Sequence, residues 1–137
     1  MTNTKGTPGK ELVATSAPRG KIDATRTEYR HSPIDEGIRL EGSQPEPNQS
    51  VRGVLIDFPS NASLGSHDLP QSIPHKYLVS YFERTKVTTS YPVKKGKLTL
   101  LTLDLIEGSA SGKFVGIVEV DGKDYELKGH FDIKKNA

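Results

Sequence analysis

In the last third of the chain, apolar and polar residues alternate on either side of a single Asp-Gly pair. Phe114, Val118 and Val120 precede Asp121-Gly122, and Tyr125, Leu127, Phe131 and Ile133 follow it. A period of two puts these side chains on one face of an extended strand. The dipeptide between them suits a type I′ turn, which needs two residues that tolerate positive φ. A hairpin is therefore predicted here, and the class is antiparallel β.

Upstream, the same reading yields further strands. Lys21–Tyr29 alternates weakly through Ile22, Ala24 and Tyr29, and Gly37–Leu40 supplies a short strand, with Gly42–Ser50 as a connection. Val51–Phe58 is apolar on both faces at Val54-Leu55-Ile56, as a central strand is, and Pro59 ends it. The long loop 61–74 carries Gly65, Pro70 and Pro74, with a brief strand near His67–Leu69. In the stretch from Pro74 to Pro92, Leu78 and Phe82 would share a helix face, whereas Tyr77, Val79 and Tyr81 share a strand face. The abundance of Tyr, Val and Thr favours the extended form. Lys97–Leu105, Lys113–Val120, Asp124–Lys128 and His130–Lys134 complete the set, the last two divided at Gly129.

The total from Lys21 onward is about eight strands and no helix, enough for an antiparallel barrel or sandwich. The predicted core is Val54, Ile56, Phe58, Leu78, Phe82, Leu98, Leu100, Phe114, Val118, Leu127, Phe131 and Ile133. Residues 1–19 hold only Leu12 and Val13 as an apolar pair among Gly, Pro, Ser and Thr, and so read as a disordered tail before one β domain at 20–137. A short strand over Glu11–Thr15 is the lesser alternative.

Composition narrows the chemistry. An apolar fraction of 33%, with 13 glycines and 9 prolines, fits short strands joined by turns. There is no cysteine, which excludes disulfides, thiol catalysis and thiolate metal sites. No apolar run approaches the roughly 20 residues that cross a bilayer. The polar Met1–Lys10 stretch lacks the apolar segment of a signal peptide. The expected setting is cytoplasmic, or the cell envelope or periplasm if a leader has been removed. Net charge is +2. The densest basic groups, Lys94-Lys95-Lys97 and Lys134-Lys135, are short and flank strands, where lysines protect edges, so nucleic-acid binding is not expected.

His67-Asp68 with His75 could bind zinc or act as base and orienter, but their spacing across Pro70 and Pro74 defines no ligand geometry. No metal and no cofactor is expected. Gly108-Ser109-Ala110-Ser111-Gly112 is no nucleophile elbow, because a strand rather than a helix follows it; it reads as a flexible hairpin connection. The acidic pairs Asp35-Glu36 and Asp104/Glu107 read as turn formers. Gly112 and Gly116 lack a phosphate-cradling context, and Gly116 reads as a bend or close-packing site in its strand. Tyr77, Tyr81 and Tyr91, interleaved with Lys76, Arg84 and Lys86, would either stack on a ligand or close the sheet with their hydroxyls at its rim; the second is favoured.

Gly96-x-Leu98-x-Leu100, Gly112-x-Phe114-x-Gly116, Asp121-Gly122, Tyr125-x-Leu127 and Gly129-x-Phe131 resemble the closing strands of small lipocalin-like β domains found in bacterial envelope lipoproteins. Ile22-x-Ala24-Thr25, Gly37-x-x-Leu40-x-Gly42 and Ile56-x-Phe58-Pro59 are similar to the opening strands of that group, so the likeness spans about residues 21–133. The lipidated cysteine of such lipoproteins is absent. The resemblance implies a lipocalin-like fold and supplies no catalytic residues.

The reading that results is a soluble, monomeric, non-catalytic β domain, envelope-associated, which binds a small ligand or a partner protein. His67, Asp68, His75, Tyr77 and Tyr81 are the candidate contact residues, at an open end formed by the loop 61–74. The alternative is an immunity- or inhibitor-type interaction module. The remotest is a hydrolase using His67, Asp68 and His75.

Overall fold

A computed structural model describes residues 9–31, 37–71 and 77–135. They form eleven strands and no helix: β1 Lys10–Ser16, β2 Ile22–Asp23, β3 Arg26–His31, β4 Ile38–Pro45, β5 Val51–Phe58, β6 Gly65–Leu69, β7 Leu78–Arg84, β8 Thr88–Pro92, β9 Lys95–Asp104, β10 Ser109–Val120 and β11 Lys123–Lys134. One six-stranded sheet has the order β2-β1-β11-β10-β9-β6, and one five-stranded sheet the order β3-β4-β5-β7-β8. All pairings are antiparallel. The ladders run in two separate sheets and do not close into a barrel.

The Asp121-Gly122 hairpin is present, with φ of 53° and 79° and Val120 paired to Lys123. Its arms are longer than alternation suggested. Gly129 does not divide β11, because extended backbone continues through it and its missing side chain is what the packing needs. Gly129 lies opposite Phe114, and Gly112 opposite Phe131. A Cβ on Gly129 would stand 2.9 Å from Phe114 Cζ, and one on Gly112 2.9 Å from Phe131 Cζ. Each ring thus lies over the glycine of the neighbouring strand, and the two rings stack with centroids 6.5 Å apart. The paired Gly-x-Phe segments are a reciprocal packing device of the hairpin.

The strand count exceeds the expected eight for traceable reasons. β1 falls inside the segment read as a tail, so the ordered fold begins by residue 9; residues 1–8 lie outside the described residues. Three apolar residues suffice there because β1 is sandwiched between β11 and β2 and gains hydrogen bonds on both edges. Leu12 also fits against Gly42, where a Cβ would meet Leu12 Cβ at 2.6 Å. The weak strand 21–29 divides at Ala24-Thr25 into β2 and β3, which join different sheets. Gly42–Pro45, expected in a connection, extends β4. The supposed flexible connection at Gly108–Gly112 is a four-residue turn ending at Gly108, and β10 starts at Ser109.

Between the sheets lie Leu12, Ile22, Leu40, Val54, Ile56, Phe58, Val79, Tyr81, Leu98, Leu100, Phe114, Val118, Leu127, Phe131 and Ile133, all but sealed from solvent. Ten of the twelve predicted core residues belong to this cluster. Leu78 does not: it faces outward and is half-buried, since Tyr77, Val79 and Tyr81 take the inward face. Phe82 is fully buried, yet on the outer face, over Gly53 and under the Arg84 guanidinium 4.7 Å from its ring centre.

Candidate binding groove

The loop residues chosen from the sequence are tied into structure. His67 stacks on Tyr77 with ring centres 3.8 Å apart, and its Nε2 lies 2.8 Å from the Ser63 carbonyl oxygen. The Ser63 amide donates to the Tyr77 hydroxyl at 3.2 Å, so the pair clamps the loop before β6 to the start of β7. Asp68 points the opposite way and pairs with Lys97 at 3.1 Å. Neighbours on a strand alternate faces, so His67 and Asp68 cannot act as base and orienter. Tyr81 is buried and donates to Glu83 at 2.6 Å, away from His67. Tyr77 and Tyr81 therefore join the core instead of presenting faces to a ligand. His75 and the pair Asp35-Glu36 lie outside the described residues. Asp104 accepts the amides of Ile106 and Glu107 in a turn, and Glu107 pairs with Lys134 at 3.0 Å. Among the described residues, no three His, Asp or Glu side chains come together as a metal site would need.

A charged network gathers around Arg52, near the start of β5. Arg52 points inward from β5 and donates to the carbonyls of Pro18, Gly20 and Lys21 at 2.7, 2.9 and 3.1 Å. Its Nε sits 3.2 Å from Glu46 as an ion pair without good hydrogen-bond geometry. Across the ladder from Arg52, Glu83 accepts from Arg19 at 2.5 Å and from Tyr81. Burial works to raise the Glu83 carboxyl, but the hydrogen bonds from Arg19 and Tyr81 outweigh it and hold it below its ordinary value. The Gln44 amide, and then Arg52, do the same for Glu46. Desolvation, with the Glu83 carboxylate beside it, pushes the Tyr81 hydroxyl well above its ordinary value.

Because both carboxyls are depressed in the folded state, they contribute stability above their ordinary value of 4.5 and lose it as pH falls. Thermal midpoints should accordingly drop as pH is lowered through and below 4.5. Glu83→Gln should lower the neutral-pH plateau and flatten that acid limb. An acid limb unchanged in the variant would exclude Glu83 as its source.

A cleft of about 770 Å³ lies on the outer face of the five-stranded sheet. It is lined by Thr25, Arg26, Glu28, Arg30, Glu41, Ser43, Pro45, Val51 and Arg84. Arg26, Glu28 and Arg30 share the outward face of β3 by alternation. Glu41 stands behind them, its side chain only 8% exposed, between Arg30 at 3.1 Å and Arg84 at 3.4 Å. Arg30 also binds Glu28 at 2.7 Å, and Arg84 donates to Thr88 at 2.9 Å and rests on Phe82. Two of the three guanidiniums are thus oriented by carboxylates. Arg26 has no ion-pair partner among the described residues.

Neither this groove nor Arg52 was among the residues singled out from the sequence. The period-two charges Arg26-x-Glu28-x-Arg30 are the local signal for the first, and a lone arginine beside Val54-Leu55-Ile56 for the second. No protein-family model, curated protein or solved structure matches the chain, so the groove stands on its own geometry.

Proposed function

We propose that this is a non-catalytic interaction domain whose arginine groove takes an extended acidic segment of a partner protein. The observation that carries the reading is Arg26, a guanidinium without an ion-pair partner among the described residues, in the lining of a groove that already holds two oriented arginines. Three arginines against Glu28 and Glu41 leave an excess of one positive charge in the lining. A guanidinium has five donors in a fixed fork, so arginines partly engaged by their own carboxylates keep N–H groups for a second one. The groove lies on an outer sheet face with Arg26, Glu28 and Arg30 in a row along β3, which favours an extended chain over an enclosed small molecule. The side chains packed between the sheets argue in the same direction, since the interior is occupied by Phe, Leu, Ile, Val and Tyr. The resemblance to lipocalin-like envelope domains supports a bacterial envelope setting.

The test is an NMR titration of the labelled protein with a hexaglutamate peptide at low salt, and with hexalysine as the opposite-charge control. Hexaglutamate should shift the amides of β3, β4 and Arg84, and Arg26→Gln should weaken it about tenfold, as loss of one charge-assisted hydrogen-bond pair does. Shifts confined to other surfaces, or equal binding by the variant, would overturn the reading.

A further inference from the structure

The opposite face of the molecule carries a second, differently built cleft. Strand alternation turns Lys97 and Thr99 of β9, Lys113 and Val115 of β10, and Lys128 of β11 outward together. Val115 lies opposite Lys97 on one side and Lys128 on the other, so these two lysines flank it at roughly two strand spacings, about 10 Å backbone to backbone. Lys113 is opposite Thr99 on the adjacent row. Together with Ser66 these side chains border a depression of about 390 Å³. In the sequence the three lysines are separated by 15 residues or more, so no linear basic cluster announces them.

We propose that this depression binds a phosphate-bearing ligand through Lys97, Lys113 and Lys128. Charge comes first. Among the described residues Lys113 and Lys128 make no ion pair, and Lys97 makes one exposed pair with Asp68, which water and salt screen. Hydrogen bonding adds to it. The Ser66 and Thr99 hydroxyls lie 3.0 Å apart, so one donates to the other and the accepting hydroxyl keeps its own proton for a ligand oxygen. Lysine ammoniums on flexible stems can converge on a tetrahedral oxyanion from several directions, whereas the arginine groove offers planar forks suited to carboxylates. No aromatic side chain borders the depression except Phe114, which is buried, so there is no platform on which a base could stack. The phosphate group itself is the recognised chemistry, carried by a soluble phosphorylated compound or by an anionic lipid headgroup.

Two probes separate these sources. Inorganic tripolyphosphate is titrated into the full chain and followed by amide shifts, and co-sedimentation is measured with vesicles of phosphatidylglycerol mixed into phosphatidylcholine. Tripolyphosphate shifts centred on Thr99, Lys113, Val115 and Lys128 support the site and assign a soluble ligand. Vesicle binding without them, clearly weakened by Lys113→Gln with Lys128→Gln, supports the site and assigns the headgroup. Each single lysine variant should weaken binding about threefold, and the pair about tenfold, as exposed ion pairs of this kind contribute. Arg26→Gln should leave it unchanged, which separates this site from the groove on the other sheet. Binding by neither probe, or undiminished binding in the double variant with its fold intact, overturns the proposal.

Discussion

Arg52→Met is expected to lower the unfolding free energy by about 3–5 kcal/mol, the range for breaking a buried charge pair by removing one partner. Methionine keeps most of the apolar stem and removes every donor. Three carbonyls, those of Pro18, Gly20 and Lys21, then lose their partner in a place where Arg52 is only 5% exposed. The bond to the Pro18 carbonyl is buried and the other two partly so; an orphaned buried acceptor costs about 1–3 kcal/mol, and less where water can enter. Glu46 also loses its neighbouring cation. The same substitution should free the turn between β1 and β2, because the arginine is what ties that turn to β5. Urea unfolding measures the first effect and amide exchange at Gly20 and Lys21 the second. A loss under about 1 kcal/mol would mean that water replaces the guanidinium and that the network is ornamental.

The second large effect is expected at Gly129. Its Cβ would overlap the Val13 carbonyl oxygen, stand 2.7 Å from Ala14 Cα and 2.9 Å from Phe114 Cζ. Two of those obstacles are backbone of β1, held in register with β11, and cannot swing aside. Gly129→Ala should therefore cost about 2–3 kcal/mol, at the upper end of ordinary overpacking. A domain of this kind has about 5–15 kcal/mol in total, so the loss is readily seen in a denaturant midpoint. Phe114→Leu in the same chain should relieve only the ring contact and restore a minor share. Full rescue would place the clash on the ring alone, and a neutral Gly129→Ala would show that β1 is not held against β11 as described.

The hairpin at Asp121-Gly122 and the strand at Val51–Phe58 were legible because they are local. Turn chemistry needs only two adjacent residues, and a run such as Val54-Leu55-Ile56 declares its burial without reference to anything else. β1 was legible only as the lesser alternative over Glu11–Thr15, for the converse reason: Leu12, Val13 and Ala14 are too few to predict burial, and their longest pairing is with β11, more than 100 residues away in the chain. Leu78 and Phe82 show the limit of apolar pattern. With apolar side chains on both faces of β7, only the packing of Tyr77, Val79 and Tyr81 into the core decided which face was inward.

The candidate sites divide in the same way. His67, Asp68 and Tyr77 drew notice as chemically capable residues close in sequence, but proximity in a strand sends neighbours to opposite faces, and the histidine became a clamp for a loop. The arginine groove and the lysine depression are assembled from residues that share a face only after strands pair.

By itself, the order of residues determined an antiparallel β protein, the position of its strongest hairpin, most of its core, and the absence of thiol chemistry. These follow from alternation, turn geometry and composition, all short-range or global properties of a chain. Tertiary structure alone decided that the strands form two sheets and not a closed barrel, that Gly-x-Phe meets Gly-x-Phe across β10 and β11, and that Arg52 ties the β1–β2 turn to β5. It also decided which charges stand together on each outer face, because strand register, and not sequence distance, sets which side chains are neighbours.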